Sequence, residues 1–177
     1  MKIDIVAATA EDFAVVSNLF QLYAYDMSEF MGFDVGPAGC FGLPQSLRNY
    51  WGGAAGTGEH RWPAQWRGYP FLVRADDNLA GFALVRQLSH AAFDMGEFFV
   101  LRKYRRTGLG ARVAHEMFDR FPGTWEVREL PPNLAAQAFW RKIISDYTNG
   151  QFEEGRKYFD AYRDEFVFQR FASRTTQ

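Results

Sequence analysis

The residues with the most evident chemistry lie close together in this chain. Glu97 interrupts an otherwise apolar run at residues 96–101, where an idle carboxylate would be costly to bury. Directly after it comes "VLRKYRRTGLGA", residues 100–111, in which Arg102, Lys103, Arg105 and Arg106 stand ahead of Gly108 and Gly110. The chain carries 20 Lys+Arg against 21 Asp+Glu, so its net charge of −1 makes this basic turn a local feature on a neutral background. A buried carboxylate suits proton transfer. A basic, glycine-bearing turn suits an anion.

The anion reading has a physical basis if a helix starts near Gly108. The first N–H groups of a helix lack intrahelical partners, and the helix dipole adds roughly half a positive charge there. Glycines let the backbone approach a phosphate closely, and Arg105 and Arg106 can add charge-assisted hydrogen bonds. The alternative is a tight turn whose arginines form a solvated face. Two rival phosphate motifs fit poorly. A Walker loop would end in Gly-Lys-Ser/Thr, which is missing, and a dinucleotide fingerprint would place a third glycine where Val113 stands.

The flanking sequence supplies the elements that must hold these residues. "AAFDMGEFFVL" reads as the strand carrying Glu97, and "GLGARVAHEMFDRF" puts Leu109, Val113, Met117 and Phe121 on one helical stripe. "TWEVREL" is a further strand, followed by the helix "NLAAQAFWRKIISDY" with Asn133 at its cap. Upstream, "KIDIVAA" alternates as a strand, and Thr9 with Asp12 opens a helix bearing Phe13, Val16, Leu19, Phe20 and Tyr23. Residues 31–68 are rich in Gly, Pro and aromatics, and only "PQSLRNYW" within them reads as a short helix; so long an irregular segment is more often functional or mobile than idle. "YPFLVRAD" and "LAGFALVRQL" form a hairpin about Asp77-Asn78, and "GQFEEGRKY" and "DEFVFQRFAS" close the chain as two strands. The order is β-α-α-β-β-β-α-β-α-β-β: an α/β fold, with residues 1–177 expected to form one domain.

Composition narrows the function classes. The balanced charge gives no general attraction to nucleic acid or to a membrane surface, and RNA binding would need a wider basic surface. Cys40 is the only cysteine, which excludes an internal disulfide and favours a cytoplasmic setting. The N-terminal residues lack a signal-peptide pattern, and no apolar run approaches a membrane span. The three histidines are scattered without ligand-like partners, so no metal is expected.

Arg105-x-x-Gly108-x-Gly110-Ala111 after the strand "EFFVL" resembles the acetyl-CoA-binding motif of the GNAT superfamily of N-acetyltransferases. Asn133, Ala136 and the pair Phe139-Trp140 resemble that family's second element, in register on the next helix. The resemblance implies a single-domain fold with a mixed central sheet of about seven strands and about four helices. It implies acetyl transfer directly from acetyl-CoA to a primary amine. Backbone amides of Arg106, Thr107, Gly108, Leu109, Gly110 and Ala111 would hold the CoA pyrophosphate beside Arg105. Phe98, Phe99 and Val100 would pair with the pantetheine arm as an added strand does, and Asn133 would lie near it or serve only as a helix cap.

Acetylation needs a neutral amine, and an amine of pKa about 10.4 is neutral less than about once in a thousand at pH 7. A general base therefore helps, and Glu97 is the candidate. The family often protonates the leaving thiolate with a Tyr after the helix aromatic. Here Trp140 occupies that place, its indole cannot titrate usefully, and Tyr147 is two turns further on, so the acid is unassigned. The family's acceptor segment corresponds to "LYAYDMSEFMGFDVG", where Tyr25, Asp26 and Glu29, with Tyr23 and Asp34 nearby, suit a small cationic amine. The same residues read equally as core aromatics beside a solvated acidic face. A non-catalytic acyl-CoA-binding sensor or scaffold of the same fold stays open on the missing Tyr, and a homodimer is also open.

Overall fold

The computed structural model describes residues 1–52, 66–159 and 164–174. Its strands are β1 (Ile3–Ala7), β2 (Arg67–Ala75), β3 (Asn78–Ser89), β4 (Ala92–Val100), β5 (Thr124–Glu129), β6 (Glu153–Phe159) and β7 (Asp164–Ala172). The α-helices are α1 (Phe13–Met31), α2 (Leu109–Arg120) and α3 (Leu134–Thr148). The strands form one mixed sheet in the order β1-β2-β3-β4-β5-β7-β6. All neighbours are antiparallel except β4 and β5, which run parallel. The chain crosses between those two through α2, a connection that only a helical crossover makes readily.

Alternation along the strands sends side chains to two apolar layers. Leu72, Phe82, Leu84 and Phe99 pack against Val16, Leu19, Phe20 and Ala24 of α1. Their neighbours Val73, Ala83, Val85, Phe93 and Met95 pack against Val113, Met117, Trp140 and Ile143 of α2 and α3. The sheet is thus covered on both faces, and its central strands are long apolar runs for that reason.

The helix starts and stops follow local chemistry. Asp12 Oδ2 accepts hydrogen bonds from the Thr9 N–H at 2.8 Å and from the Thr9 hydroxyl at 2.9 Å, fixing a single 3-10 turn that feeds α1. Gly32 ends α1 in a left-handed conformation, φ 64°, where a side chain would be strained. "PQSLRNYW" forms a 3-10 turn, Gln45–Trp51, rather than an α-helix, with Leu47 and Tyr50 seated in the α1-side layer. The hairpin between β2 and β3 turns on Asp76-Asp77, one residue earlier than the sequence suggests. Both have positive φ, 47° and 63°, as a two-residue turn matching the strand twist requires. Of the irregular stretch at residues 31–68, residues 53–65 lie outside the described residues.

Candidate active site

The parallel pairing of β4 with β5 covers only Ala92, Phe93 and Asp94 beside Thr124, Trp125 and Glu126. Beyond it the two strands part, and residues 95–100 of β4 keep β3 on one side without pairing to β5 on the other. Unpaired strand edge is a template for another extended chain. Within this stretch Leu84 faces Glu97 while Val85 faces Met95, so Gly96 is an extra residue, a bulge that re-aims the side chains after it. A Cβ at Gly96 would lie 2.1 Å from the Tyr50 hydroxyl and 3.0 Å from Arg86 Nε, so a side chain there would have to displace these groups.

Glu97 comes directly after the bulge, on the α1 side of the sheet. Its Oε2 accepts a hydrogen bond from the Tyr23 hydroxyl of α1 at 2.7 Å. The residue keeps partial solvent contact yet lies deep among protein atoms, and this desolvation pushes its carboxyl above the usual range. The bond from Tyr23 is the largest influence in the opposite direction, followed by the charge of Arg86.

A buried ionic network lies beside it, which sequence reasoning missed. Asp94 is fully buried and bridges Arg86, at 2.7 Å from Nε, and Arg128. Arg128 also faces Glu126 at 3.6 Å, and Arg170 meets Glu126 at 2.6 Å. The available signal was the same as for Glu97: charged residues at alternate positions of apolar strands. Breaking such a network by removing one partner would strand a buried charge.

The basic turn lies at the far end of the open stretch. Arg106 and Gly108 both have positive φ, 63° and 86°, and α2 starts at Leu109. The N–H groups of Gly108, Leu109, Gly110 and Ala111 precede the first helical bond, which runs from the Arg112 N–H to the Gly108 carbonyl at 3.1 Å. Alternating backbone of this kind aims successive N–H groups into one concavity suited to an anion. A Cβ built on Gly108 meets nothing within 4 Å, so the space beside the loop is open. Gly110 has a different reason for being glycine: its Cβ would come to 3.1 Å from Phe139 Cζ of α3. Phe139 in turn stacks on Phe98 of β4 at 6.0 Å between centroids, which ties α3 to the open strand.

Arg105 is an anchor of this loop. Its Nε donates to the Val100 carbonyl at 2.8 Å, and its guanidinium pairs with Asp26. Asp26 also accepts from Arg102 at 2.7 Å. Burial raises the Asp26 carboxyl, but the bonds from Arg105 and Arg102 outweigh it and hold the group below the ordinary range. The structure thus joins Asp26, expected to meet the acceptor, to the turn ahead of α2 through these two arginines. Tyr25 and Glu29 are exposed on α1. Asn133 caps α3, its Oδ1 accepting from the Ala136 N–H at 3.0 Å. Trp140 is core, against Phe98 and Phe118. Tyr147 lies at the far end of α3, where burial and its hydrogen bond to Asp119 at 2.6 Å push the phenol up to about 12. It is too tightly held to serve as an acid here.

The sheet thus opens between two parallel strands, with the free N–H groups of a helix start at one end and a desolvated carboxyl along the gap. A model of the acetyltransferase (GNAT) family matches residues 44–144, more than half of the chain. The chain belongs to the GNAT acetyltransferase family, and acetyl-CoA is its co-substrate. Solved structures share its fold at low identity. The ribosomal-protein-S18-alanine N-acetyltransferase from Escherichia coli is 16% identical with a TM-score of 0.57, over 99% of this chain and 97% of that one. The aminoglycoside acetyltransferase AAC(6')-Ib in complex with coenzyme A is 12% identical with a TM-score of 0.60, over 97% and 95%. A Bacillus subtilis acetyltransferase in complex with CoA is 11% identical with a TM-score of 0.56, over 97% and 99%. Sequence comparison with curated proteins returns no match. No helix among the described residues is long and apolar enough to cross a membrane, and no group of His, Cys, Asp or Glu there could hold a metal ion.

Proposed function

We propose that the chain, acting as a single domain, moves an acetyl group from acetyl-CoA directly to a primary amine, with Glu97 as the general base. The observation that carries this reading is the position of Glu97 on the stretch of β4 that leaves β5, the same stretch that runs on to the amides of the α2 start. The N–H groups of residues 106–111 would bind the pyrophosphate, with the exposed Arg106 adding charge. Residues 98–100 would hydrogen-bond the pantetheine along the open strand edge. The thioester supplies an activated acyl carbon and a good leaving group. The amine nitrogen forms the new N–C bond, the C–S bond breaks, and the surplus proton on nitrogen goes to Glu97.

The acceptor in this reading is small and cationic in solution. The half-buried Glu97 and the exposed Glu29 support that charge preference; Asp26 does not, because Arg102 and Arg105 already offset it. A cytoplasmic setting belongs to the same reading. The test is thiol release from acetyl-CoA with a panel containing a polyamine, an aminoglycoside, a lysine peptide, and acidic and neutral amino acids. Release with the cationic members is expected. Preference for acidic or neutral amines would overturn the charge assignment, and no release with any amine would overturn the transfer itself.

A further inference from the structure

We propose that Tyr23 is the positioning residue of the catalytic base, holding the Glu97 carboxylate on one oxygen so that the other faces the acceptor amine. This rests on the reading of Glu97 as the base. The contact joins residues 74 positions apart, α1 to the bulged strand β4, at 2.7 Å, with Tyr23 Oη as donor and Glu97 Oε2 as acceptor. The phenol cannot wander. Its ring is edge-on to Phe20 at 5.2 Å and to Phe82 at 5.9 Å, and is inclined 61° to Phe99 at 6.0 Å. Three aromatic walls from α1, β3 and β4 thus aim one hydroxyl at one carboxylate. The Gly96 bulge turns Glu97 to meet it.

The bond has a direction that matters. A phenol O–H donates and so favours the ionised carboxylate, the form a base needs, against the burial that favours the neutral acid. The other charged groups around Glu97 are Arg86 of β3, Asp94 of β4 and Arg128 of β5. Asp94 bridges Arg86 and Arg128 in the buried network, which couples their charges to one another. Tyr23 is the hydrogen-bond partner that addresses Glu97 itself among the described residues. With Oε2 committed, Oε1 is left to take the proton from nitrogen. In this inference Tyr23 acts through Glu97, by fixing one of its two carboxylate oxygens.

The experiment compares the pH profiles of kcat/KM for the wild type, Tyr23→Phe, Glu97→Gln and the double variant, using one amine found active in the panel. Tyr23→Phe keeps the ring in its aromatic cage. Loss of a hydrogen bond to a charged group should move the acidic limb upward by about one pH unit or more, with kcat/KM below that limb reduced by about tenfold. Activity should return toward wild type at high pH, and KM for acetyl-CoA should not change. In the Glu97→Gln background, Tyr23→Phe should have no further effect. An acidic limb that stays in place in a folded Tyr23→Phe overturns the inference. Wild-type activity in Glu97→Gln would instead overturn the base assignment on which it rests. A second measurement follows ¹³C-labelled Glu carboxyl and Tyr ring carbons: the carboxyl resonance lost in Glu97→Gln should titrate in the wild type together with one Tyr resonance that stops shifting at that midpoint in Glu97→Gln. A Tyr set with no member moving at the Glu97 midpoint also overturns it.

Discussion

Glu97, the proposed base, and Asp26 are carboxylates in opposite surroundings. Glu97 lies in a desolvated stretch with one neutral donor, so it exchanges a proton readily. Asp26 is clamped by Arg102 and Arg105, which hold it in its ionised form. Glu97→Gln should lower kcat/KM by roughly 10²-fold near neutral pH, with a smaller loss at high pH where the amine is already neutral. An equal loss at every pH would assign Glu97 to structure rather than proton transfer. Asp26→Asn should raise KM for acetyl-CoA by about two- to fivefold, an effect typical of a partly exposed ion pair, and leave KM for the amine unchanged. The reverse split would return Asp26 to the acceptor. Glu97 was legible in the sequence because a carboxylate in an apolar run stands out. The partners of Asp26 were not, because they lie 76 and 79 residues away.

At the scale of elements, the loop before α2 and the end of β5 carry the testable physics. The Arg106 side chain is exposed beside open space, so Arg106→Glu should leave the fold intact and weaken acetyl-CoA binding severalfold, an effect that shrinks as salt rises. Calorimetry that finds equal affinity at low salt would remove the loop from the donor site. Gly110 is a poorer probe: a side chain there collides with Phe139 first, so lost binding would not distinguish a blocked phosphate from a displaced helix. The glycine spacing was readable in sequence, but only the packing of α3 separates the two glycines by purpose.

The end of β5 holds Glu129, buried on the same face as Trp125 and Val127, with the Gln169 amide as its nearest polar influence. Burial pushes this carboxyl up to about 8. Gln169 beside it gives its N–H to Glu154 and leaves its own Oε1 buried without a partner. A protonated Glu129 can supply that partner. Because the folded value lies above the unfolded one, the proton stabilises the fold at low pH, and that stability is lost as pH rises toward about 8. The wild type should therefore lose up to about 1.4 kcal/mol per pH unit relative to Glu129→Gln between roughly pH 5 and 8. Denaturant melts of the two at several pH values would check this, and parallel stability curves would contradict it.

Across the whole molecule, the two apolar layers divide the labour. The α1-side layer holds Tyr23 and sets Glu97, while the α2–α3 layer holds the loop and the face of Phe98. The order of strands and helices was legible from periodicity, since alternating strands and striped helices dominate the chain. The parting of β4 from β5, the Gly96 bulge and the Asp94 network were not, because each depends on register between distant strands. The 3-10 turn at Gln45–Trp51 was read as a helix because its apolar spacing fits either form over so few residues.

If the open edge of β4 and the α2 start hold the donor while Glu97 waits for the amine, both substrates must be on the protein together. Initial rates of thiol release, measured over a grid of acetyl-CoA and amine concentrations, test this most directly. Intersecting double-reciprocal lines, with no acetylated protein detected by mass spectrometry after incubation with acetyl-CoA alone, are the predicted result. Parallel lines together with a stable acetyl-protein, for instance on the exposed thiol of Cys40, would contradict direct transfer.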